Sequence, residues 1–386
     1  MRRNWMGGAL GLGAWIALSG GGVLAAEPPL EPFRGITMNG TVQPGLFKTS
    51  QSGIAVKAMA DAAQTFLSAL SSNQRSQTQY PLTSEIKRRW TNVSSAKRYG
   101  ISYAEMTEAQ RQKADALLKA FLSSDGYRQS KDIMLINGYL AEATGNKQRY
   151  GVDQFWISIY GDPADQQPWG WRLEGHHLVI SVTIIGDQVV MTPTFMGAEP
   201  TIIPSGPHQG VAVMQHQEAT ARALIASLNA EQVKQAQLSS QKLGSNMLTE
   251  AYKDNAIVPQ QGLQASELSS AQQRLLMEVI SSFADQFRKE LSAERLKEVR
   301  DHLNDTTFLW IGGRDQEAPI YYRIQSPVLL IEFDQQRAVS LPSQSQQPIR
   351  THVHSMVRTP NGNDYGENLL QQHLLKDHNT PQPHAH

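Results

Sequence analysis

Apolar and polar residues follow a helical period in several parts of the chain. An amphipathic helix is predicted over residues 54–70, where one face collects the apolar side chains Val56, Met59, Ala60, Ala63, Phe66 and Leu67. Three more helix starts are indicated by MTEAQ (106–110), LNAEQ (228–232) and LSSAQ (268–272). Each places Thr, Asn or Ser three residues before Gln, which is the spacing of a capping box. These glutamines therefore have a structural explanation.

Runs rich in β-branched and aromatic residues predict strands in two clusters. The first cluster comprises FWISIYGD (155–162), WRLEGHHLVISVTI (171–184) and VVMTPTF (189–195). The second comprises TTFLWIGGRD (306–315), PIYYRI (319–324) and PVLLIEFD (327–334). Because helical regions precede each cluster, the sequence predicts an α+β fold with helices packed around a mixed or antiparallel sheet.

The two clusters resemble each other. WRLEGHHLVI (171–180) aligns without a gap with YRIQSPVLLI (322–331), and each follows an apolar strand and a capped helix. An internal duplication of a helices-then-strands unit is one interpretation. In this alignment His176-His177 correspond to Pro327-Val328, so the histidines belong to one copy only.

The first 26 residues have the pattern of an export signal. Arg2 and Arg3 precede an uncharged stretch, and Val23-Leu24-Ala25 provides a small-residue cleavage pattern. The alternative is a membrane anchor, but the stretch is short for a span of about 20 apolar residues. We therefore expect a periplasmic or secreted protein that starts at Ala26 or Glu27 and has no stable membrane span. Residues 27–375 are predicted to form a single domain, and residues 376–386 a flexible histidine-containing tail.

Composition removes several classes of function. The 35 basic and 35 acidic residues give a net charge of zero, so the chain has no electrostatic footprint for nucleic acid. The chain contains 0 cysteines, which excludes thiolate nucleophiles and cysteine-ligated metal sites. Any metal ion would be bound by His, Asp, Glu or backbone oxygens.

Two histidines in RTHVHSMVR (350–358) are candidate metal ligands. On a strand, His352, His354 and Arg358 share one face, while the valines make the other face the expected core. Imidazoles at this spacing can bind one ion. The alternative is the solvated polar face of a strand.

The adjacent His176 and His177 form a second candidate pair. On the predicted strand they point to opposite sides, so only one of them can join a shared site. A buried imidazole without a partner costs a few kcal/mol, which favours a specific partner for at least one. Glu199, at the end of TPTFMGAEP (192–200), is a candidate ligand or base, or else a solvated loop residue.

The segment after residue 358 contributes two further candidates. NGND (361–364) predicts a turn, and Asp364 lies three residues before Glu367, so it is either the cap of the next helix or a base. His373 follows Leu369 by one turn on the apolar stripe and points inward. It is either a hydrogen-bonded core residue or a further ligand or proton carrier.

Four motifs together resemble the domain-of-unknown-function family 3500. They are WGWRLEGHHLVISVTI (169–184), TPTFMGAEP (192–200), PIYYRIQSPVLLIEFD (319–334) and RTHVHSMVRTPNGNDYGENLLQQH (350–373). The resemblance covers most of the chain after the predicted signal. It implies one family-wide domain and a shared set of polar motifs, and it supplies no reaction.

The leading hypothesis is a metal-dependent hydrolase. His352, His354 and one of His176 and His177 would bind a divalent ion, with zinc favoured and copper or iron as alternatives. Glu199 or Asp364 would be the base, and Arg358 would stabilise negative charge. A copper- or iron-dependent oxidoreductase and a non-catalytic periplasmic binding protein stay open, as does the substrate, a small molecule or a polymer.

Overall fold

The structure is a computed structural model that describes residues 27–165, 167–341 and 346–379. The predicted export signal lies outside these residues. Within them the helices are α1 Lys57–Ser68, α2 Ser72–Thr78, α3 Glu108–Phe121, α4 Ser124–Thr144, α5 Gln215–Ser227, α6 Ala230–Ala236, α7 Ser270–Ala284, α8 Lys289–Asp301 and α9 Glu367–Asn379. Because α9 ends at Asn379, residues 376–379 of the predicted flexible tail are helical, and residues 380–386 lie outside the described residues.

One sheet runs through both halves of the chain. Its strands are β1 Gln79–Tyr80, β2 Ile101–Ser102, β3 Phe155–Tyr160, β4 Trp169–Gly175, β5 Leu178–Ile185, β6 Gln188–Val190, β7 Thr194–Ala198, β8 Gln237–Ser239, β9 Leu263–Gln264, β10 Thr307–Ile311, β11 Tyr321–Gln325, β12 Leu330–Arg337 and β13 Pro348–Arg358. Their order is β1-β3-β4-β5-β7-β13-β12-β11-β10-β8, with β2, β6 and β9 paired at the side. Parallel pairs occur at β1–β3 and β8–β10, and the other pairs are antiparallel. The α+β prediction is confirmed.

The predicted capping boxes are present at Thr107, Asn229 and Ser269. Their glutamines also join helices in the same way in the two halves of the chain. Gln110 of α3 exchanges side-chain hydrogen bonds with Gln74 of α2, and Gln272 of α7 does so with Gln232 of α6. This correspondence agrees with the aligned strand motifs, while the internal duplication itself stays a prediction.

The two faces of the sheet differ in chemistry. One face is apolar and packs against the helices, with Trp171, Leu173 and Ile331 among its core side chains. The other face carries buried charged groups and is covered by irregular segments. Arg172 donates to backbone carbonyls at residues 86 and 87, and the Glu332 carboxylate accepts backbone N–H groups at residues 248 and 249. The candidate site lies on this second face.

A helix that crosses a bilayer needs about 20 mostly apolar residues. In the described part of the chain, no helix is long and apolar enough to span a membrane.

Candidate metal centre

His176 and His177 form the two-residue turn between β4 and β5. Gly175 pairs with Leu178 across the hairpin, so the histidines lie outside the ladder, and the prediction that they continue one strand was wrong. The backbone of His177 has a φ of 62°, which is uncommon for a residue other than glycine. Because the turn releases the pair from strand alternation, the two rings stack at 3.8 Å between centroids instead of pointing apart.

The other two histidines lie on β13, at the centre of the sheet. This strand pairs with β12 on one side and β7 on the other, where His354 is opposite Gly197. A Cβ atom added to Gly197 would lie 2.4 Å from the carbonyl oxygen of Val353, so a side chain here would push the strands apart. Val353 packs in the core against the helices, and alternation therefore places His352 and His354 on the opposite face, as predicted.

The turn between β4 and β5 and the strand β13 bring His177, His352 and His354 together. One ring nitrogen from each residue lies within 4.8 Å of the other two, and all three side chains are buried. The Nε2 atoms of His352 and His354 are 3.2 Å apart. Nitrogen ligands with bonds of about 2.0–2.1 Å to a tetrahedral zinc ion are themselves separated by roughly 3.3 Å. The cluster can therefore hold a metal ion.

The hydrogen bonds of the two β13 histidines fix their tautomers. Nδ1 of His352 lies 2.5 Å from the backbone oxygen of Arg337, and Nδ1 of His354 lies 2.8 Å from the Glu250 carboxylate. Both partners only accept, so each Nδ1 carries a hydrogen, and in the neutral form of each ring Nε2 holds a lone pair. The two Nε2 atoms then direct lone pairs at each other across 3.2 Å. A cation between them removes this repulsion.

Burial keeps His176, His177 and His352 neutral. It lowers the pKa of His177 and of His176 well below the ordinary value. Repulsion from Arg98 adds to the effect at His176, and repulsion that protonation of a neighbouring imidazole would create adds to it at both. Burial, with repulsion from His354, lowers the pKa of His352 to about 4. Neutral imidazole is the form that binds metal ions.

The lowered pKa of His352 predicts a loss of stability in acid. The unfolded chain takes up this proton near the ordinary pKa of about 6.5, while the folded chain resists it until about 4. The stabilisation is complete above pH 6.5 and is lost as the pH falls, by about 2 kcal/mol between pH 6.5 and 5. Urea unfolding of the metal-free protein at several pH values measures it. The His352→Gln variant should show a shallower pH dependence, and identical slopes would contradict this origin.

His176 lies beside the cluster without belonging to it. Its Nδ1 is 2.9 Å from the side-chain oxygen of Asn137, and its ring also contacts Tyr150 at 5.2 Å between centroids. Only His177 of the adjacent pair contributes a nitrogen to the cluster. The expectation that one of the two histidines enters the site agrees with this geometry.

Two glutamates lie behind the β13 histidines. Glu199 is buried and accepts backbone N–H groups from Val339, Ser340 and Leu341, and its Oε2 lies 3.7 Å from Nδ1 of His352. Glu250 lies beside Nδ1 of His354. No sequence motif singled out Glu250, because its partner is 104 positions away along the chain.

Arg358 and Asp364 form a separate buried cluster further along β13. The guanidinium contacts Asp254 at 2.9 Å and Asp364 at 3.2 Å, and it donates to the backbone oxygens of Thr249 and Glu250. Arg358 is four residues from His354, roughly 13 Å along a strand. Arg358 therefore holds the backbone that carries Glu250 and does not reach the three histidines.

The prediction that Asp364 caps the last helix was wrong. Its carboxylate accepts the backbone N–H of Thr359 at 2.7 Å, and burial raises its pKa to about 6 despite the adjacent Arg358. The side-chain oxygen of Asn363 instead accepts the N–H of Leu369 at 3.3 Å. Asp364 thus belongs to the arginine cluster, and the structure does not bring it to the histidines.

His373 lies on α9, at the other end of β5. Leu369 of the same helix packs against Ile185, the last residue of β5, and against Val328. His177 precedes the first residue of β5, and an eight-residue strand spans roughly 23 Å. The structure therefore does not bring His373 to the three-histidine cluster.

Fold and site together define an α+β protein with a buried three-histidine cluster that can hold a metal ion. The chain belongs to the family described as Protein of unknown function (DUF3500), which matches residues 52–367. The matched region includes every described strand and all three clustered histidines, and it ends at the first residue of α9. Comparison with curated proteins and with solved structures found no match.

Proposed function

We propose that this protein is an exported metal-dependent hydrolase in which His177, His352 and His354 bind one divalent ion, with zinc the favoured metal. The observation that supports the proposal is the pair of Nε2 atoms 3.2 Å apart. Because both Nδ1 atoms face acceptors, both Nε2 atoms hold lone pairs, and a metal ion is the group that this arrangement suits.

The number of protein ligands favours a catalytic centre. Structural zinc sites use four protein ligands, whereas catalytic sites use three and leave a position for water. In the described residues the cluster contains three histidines. When bound, a zinc ion at such a site lowers the pKa of its water to about 7 and so supplies a nucleophile.

The surroundings of the ligands fit the same chemistry. Histidine ligands commonly donate their second N–H to a carboxylate or a carbonyl group, which fixes the tautomer and orients the ring. His354 has Glu250 in this position, and His352 has the Arg337 carbonyl with Glu199 behind it. Both glutamates lie on the Nδ1 side of their rings, away from the convergent Nε2 atoms. We therefore assign them a positioning role, and water activation rests on the ion.

A copper- or iron-dependent oxidoreductase is the second candidate, because three imidazoles also suit these metals. The observation in its favour is burial: His177, His352 and His354 are 4%, 3% and 8% exposed. A closed site of this kind suits a small reactant such as dioxygen. Glu250, which contacts His354, has a side chain that is 32% exposed.

Elemental analysis of the exported protein tests the proposal. The full chain should be used without an affinity tag and with His384→Ala and His386→Ala, because tail histidines bind ions adventitiously. We expect one equivalent of metal per chain. Zinc supports the hydrolase, while copper or iron supports the oxidoreductase. A protein that stays below a tenth of an equivalent after incubation with each metal would rule out both.

A further inference from the structure

A cavity of about 250 Å³ lies between helices α7 and α8 and the helix-covered face of the sheet. Its apolar wall includes Ile280 and Phe283 from α7, Leu291 from α8, and Leu329 and Val357 from the sheet side. A cavity of about 150 Å³ with a wall of this kind binds benzene. The space therefore suits a molecule with a larger apolar body than one ring.

The cavity is separate from the histidine cluster. Ser355 and Val357 of β13 line it, whereas His352 and His354 point from the opposite face of the same strand. The sheet thus lies between the two places, and a molecule in the cavity has no direct path to the three ring nitrogens. Binding here needs no metal ion.

Two glutamines give the cavity a polar region. The side-chain nitrogens of Gln217 and Gln286 both donate to the backbone oxygen of Ser282, at 2.9 and 3.1 Å, so the two amides are neighbours. Their side-chain oxygens are buried and have no hydrogen-bond partner in the part of the chain that the structure describes. Because an unpaired buried acceptor is unfavourable, a ligand that donates a hydrogen bond would be stabilised beside them.

Three hydroxyl groups of the wall already have partners. Thr192 and Thr359 bond each other through their hydroxyls at 2.7 Å, and Ser355 donates to the backbone oxygen of Met196 at 2.7 Å. Exposed lining residues of α8 carry both signs of charge: Glu294, Lys297 and Asp301. This mixture favours neither an anion nor a cation.

We propose that this cavity binds a small neutral molecule with an apolar body of about two rings and one hydroxyl or amide N–H group. The body packs against Ile280, Phe283, Leu291 and Val357. The donor group lies beside the amides of Gln217 and Gln286, whose buried side-chain oxygens accept its hydrogen bond once the amides turn towards the cavity. Size, neutrality and a single donor define the class of ligand. The site would serve as a second binding function, independent of the metal centre.

Titration with N-phenyl-1-naphthylamine tests the site, because this probe is neutral, has an apolar ring system and one N–H, and fluoresces in apolar surroundings. The full chain should bind one equivalent saturably. Val357→Phe and Leu291→Trp fill the cavity from opposite walls and should each weaken binding at least tenfold. Val93→Phe, at a half-exposed position outside the cavity, should leave it unchanged. Thermal melts identify any variant that fails to fold.

Competition experiments test whether the ligand donates a hydrogen bond to the two glutamines. We expect 1-naphthol to displace the probe at least fivefold better than naphthalene, which lacks the hydroxyl. Gln217→Leu should reduce this advantage at least threefold. Equal displacement by the two compounds would overturn the role of the glutamines. Absence of saturable binding, or full affinity in two folded cavity-filling variants, would overturn the site.

Discussion

The His177→Asn variant is expected to lose bound metal while keeping its fold. Asparagine tolerates the left-handed backbone of residue 177, whose φ is 62°, so the turn between β4 and β5 should persist. With one of three ligands gone, metal affinity should fall by roughly a hundredfold or more. This loss exceeds the usual effect of removing a residue that only hydrogen-bonds to a ligand. Metal analysis and a thermal melt of the metal-free protein measure the two effects separately.

The adjacent His176→Asn variant is the matched control. It changes the same turn and removes the hydrogen bond to Asn137, but it leaves all three clustered nitrogens in place. We expect the metal affinity of this variant to lie within about twofold of that of the parent protein. Valine is unsuitable at residue 177 because a β-branched side chain is strained at positive φ. Equal metal loss in both asparagine variants would show that the turn matters and the His177 imidazole does not.

The Arg358→Met variant is expected to cause the largest loss of stability. Arg358 is fully buried and compensates two buried carboxylates, Asp254 and Asp364, while it also binds the backbone at Thr249 and Glu250. Removing the cation leaves Asp364 without a charged partner among the described residues and Asp254 with Arg88 alone, at a cost of about 3–5 kcal/mol. Urea denaturation at pH 7 measures the change in the free energy of unfolding.

Arg350→Met provides the comparison on the same strand. Arg350 is partly exposed, and its buried partner Glu218 keeps a second cation in Arg222, so its loss should cost about 1 kcal/mol or less. Adding Asp254→Asn and Asp364→Asn to Arg358→Met should recover part of the stability. If Arg350→Met and Arg358→Met cost the same, the buried cluster does not stabilise the fold in this way.

Local patterns in the sequence predicted much of the fold. The capping boxes at Thr107, Asn229 and Ser269 depend on residues three apart, and the structure contains all three. Strand alternation likewise placed His352 and His354 on one face of β13. Each of these features is determined within a few residues of the chain, so a single sequence carries the information.

The hairpin turn at His176-His177 and the hydrogen-bond partners of the clustered histidines could not be predicted from local sequence, because they depend on the complete fold. Nothing in GHHL distinguishes a continuing strand from a tight hairpin, and His177 adopts a φ that histidine seldom uses. Glu250 meets His354 only because β12 and β13 bring the covering segment over them. Asp364 has the spacing of a cap, but Arg358 offers its carboxylate a stronger, charged partner.

The position of β13 in the sheet determines when, during synthesis of the chain, the sheet can close. In the described residues this strand is the last along the chain and yet lies between β7 and β12. The facing edges of β7 and β12 therefore remain unpaired until residues 348–358 have been made. Open edges invite association between chains, and a product truncated before residue 348 should aggregate. Two of the three clustered histidines arrive with the same strand. The proposed metal ion can therefore bind only after the sheet has closed.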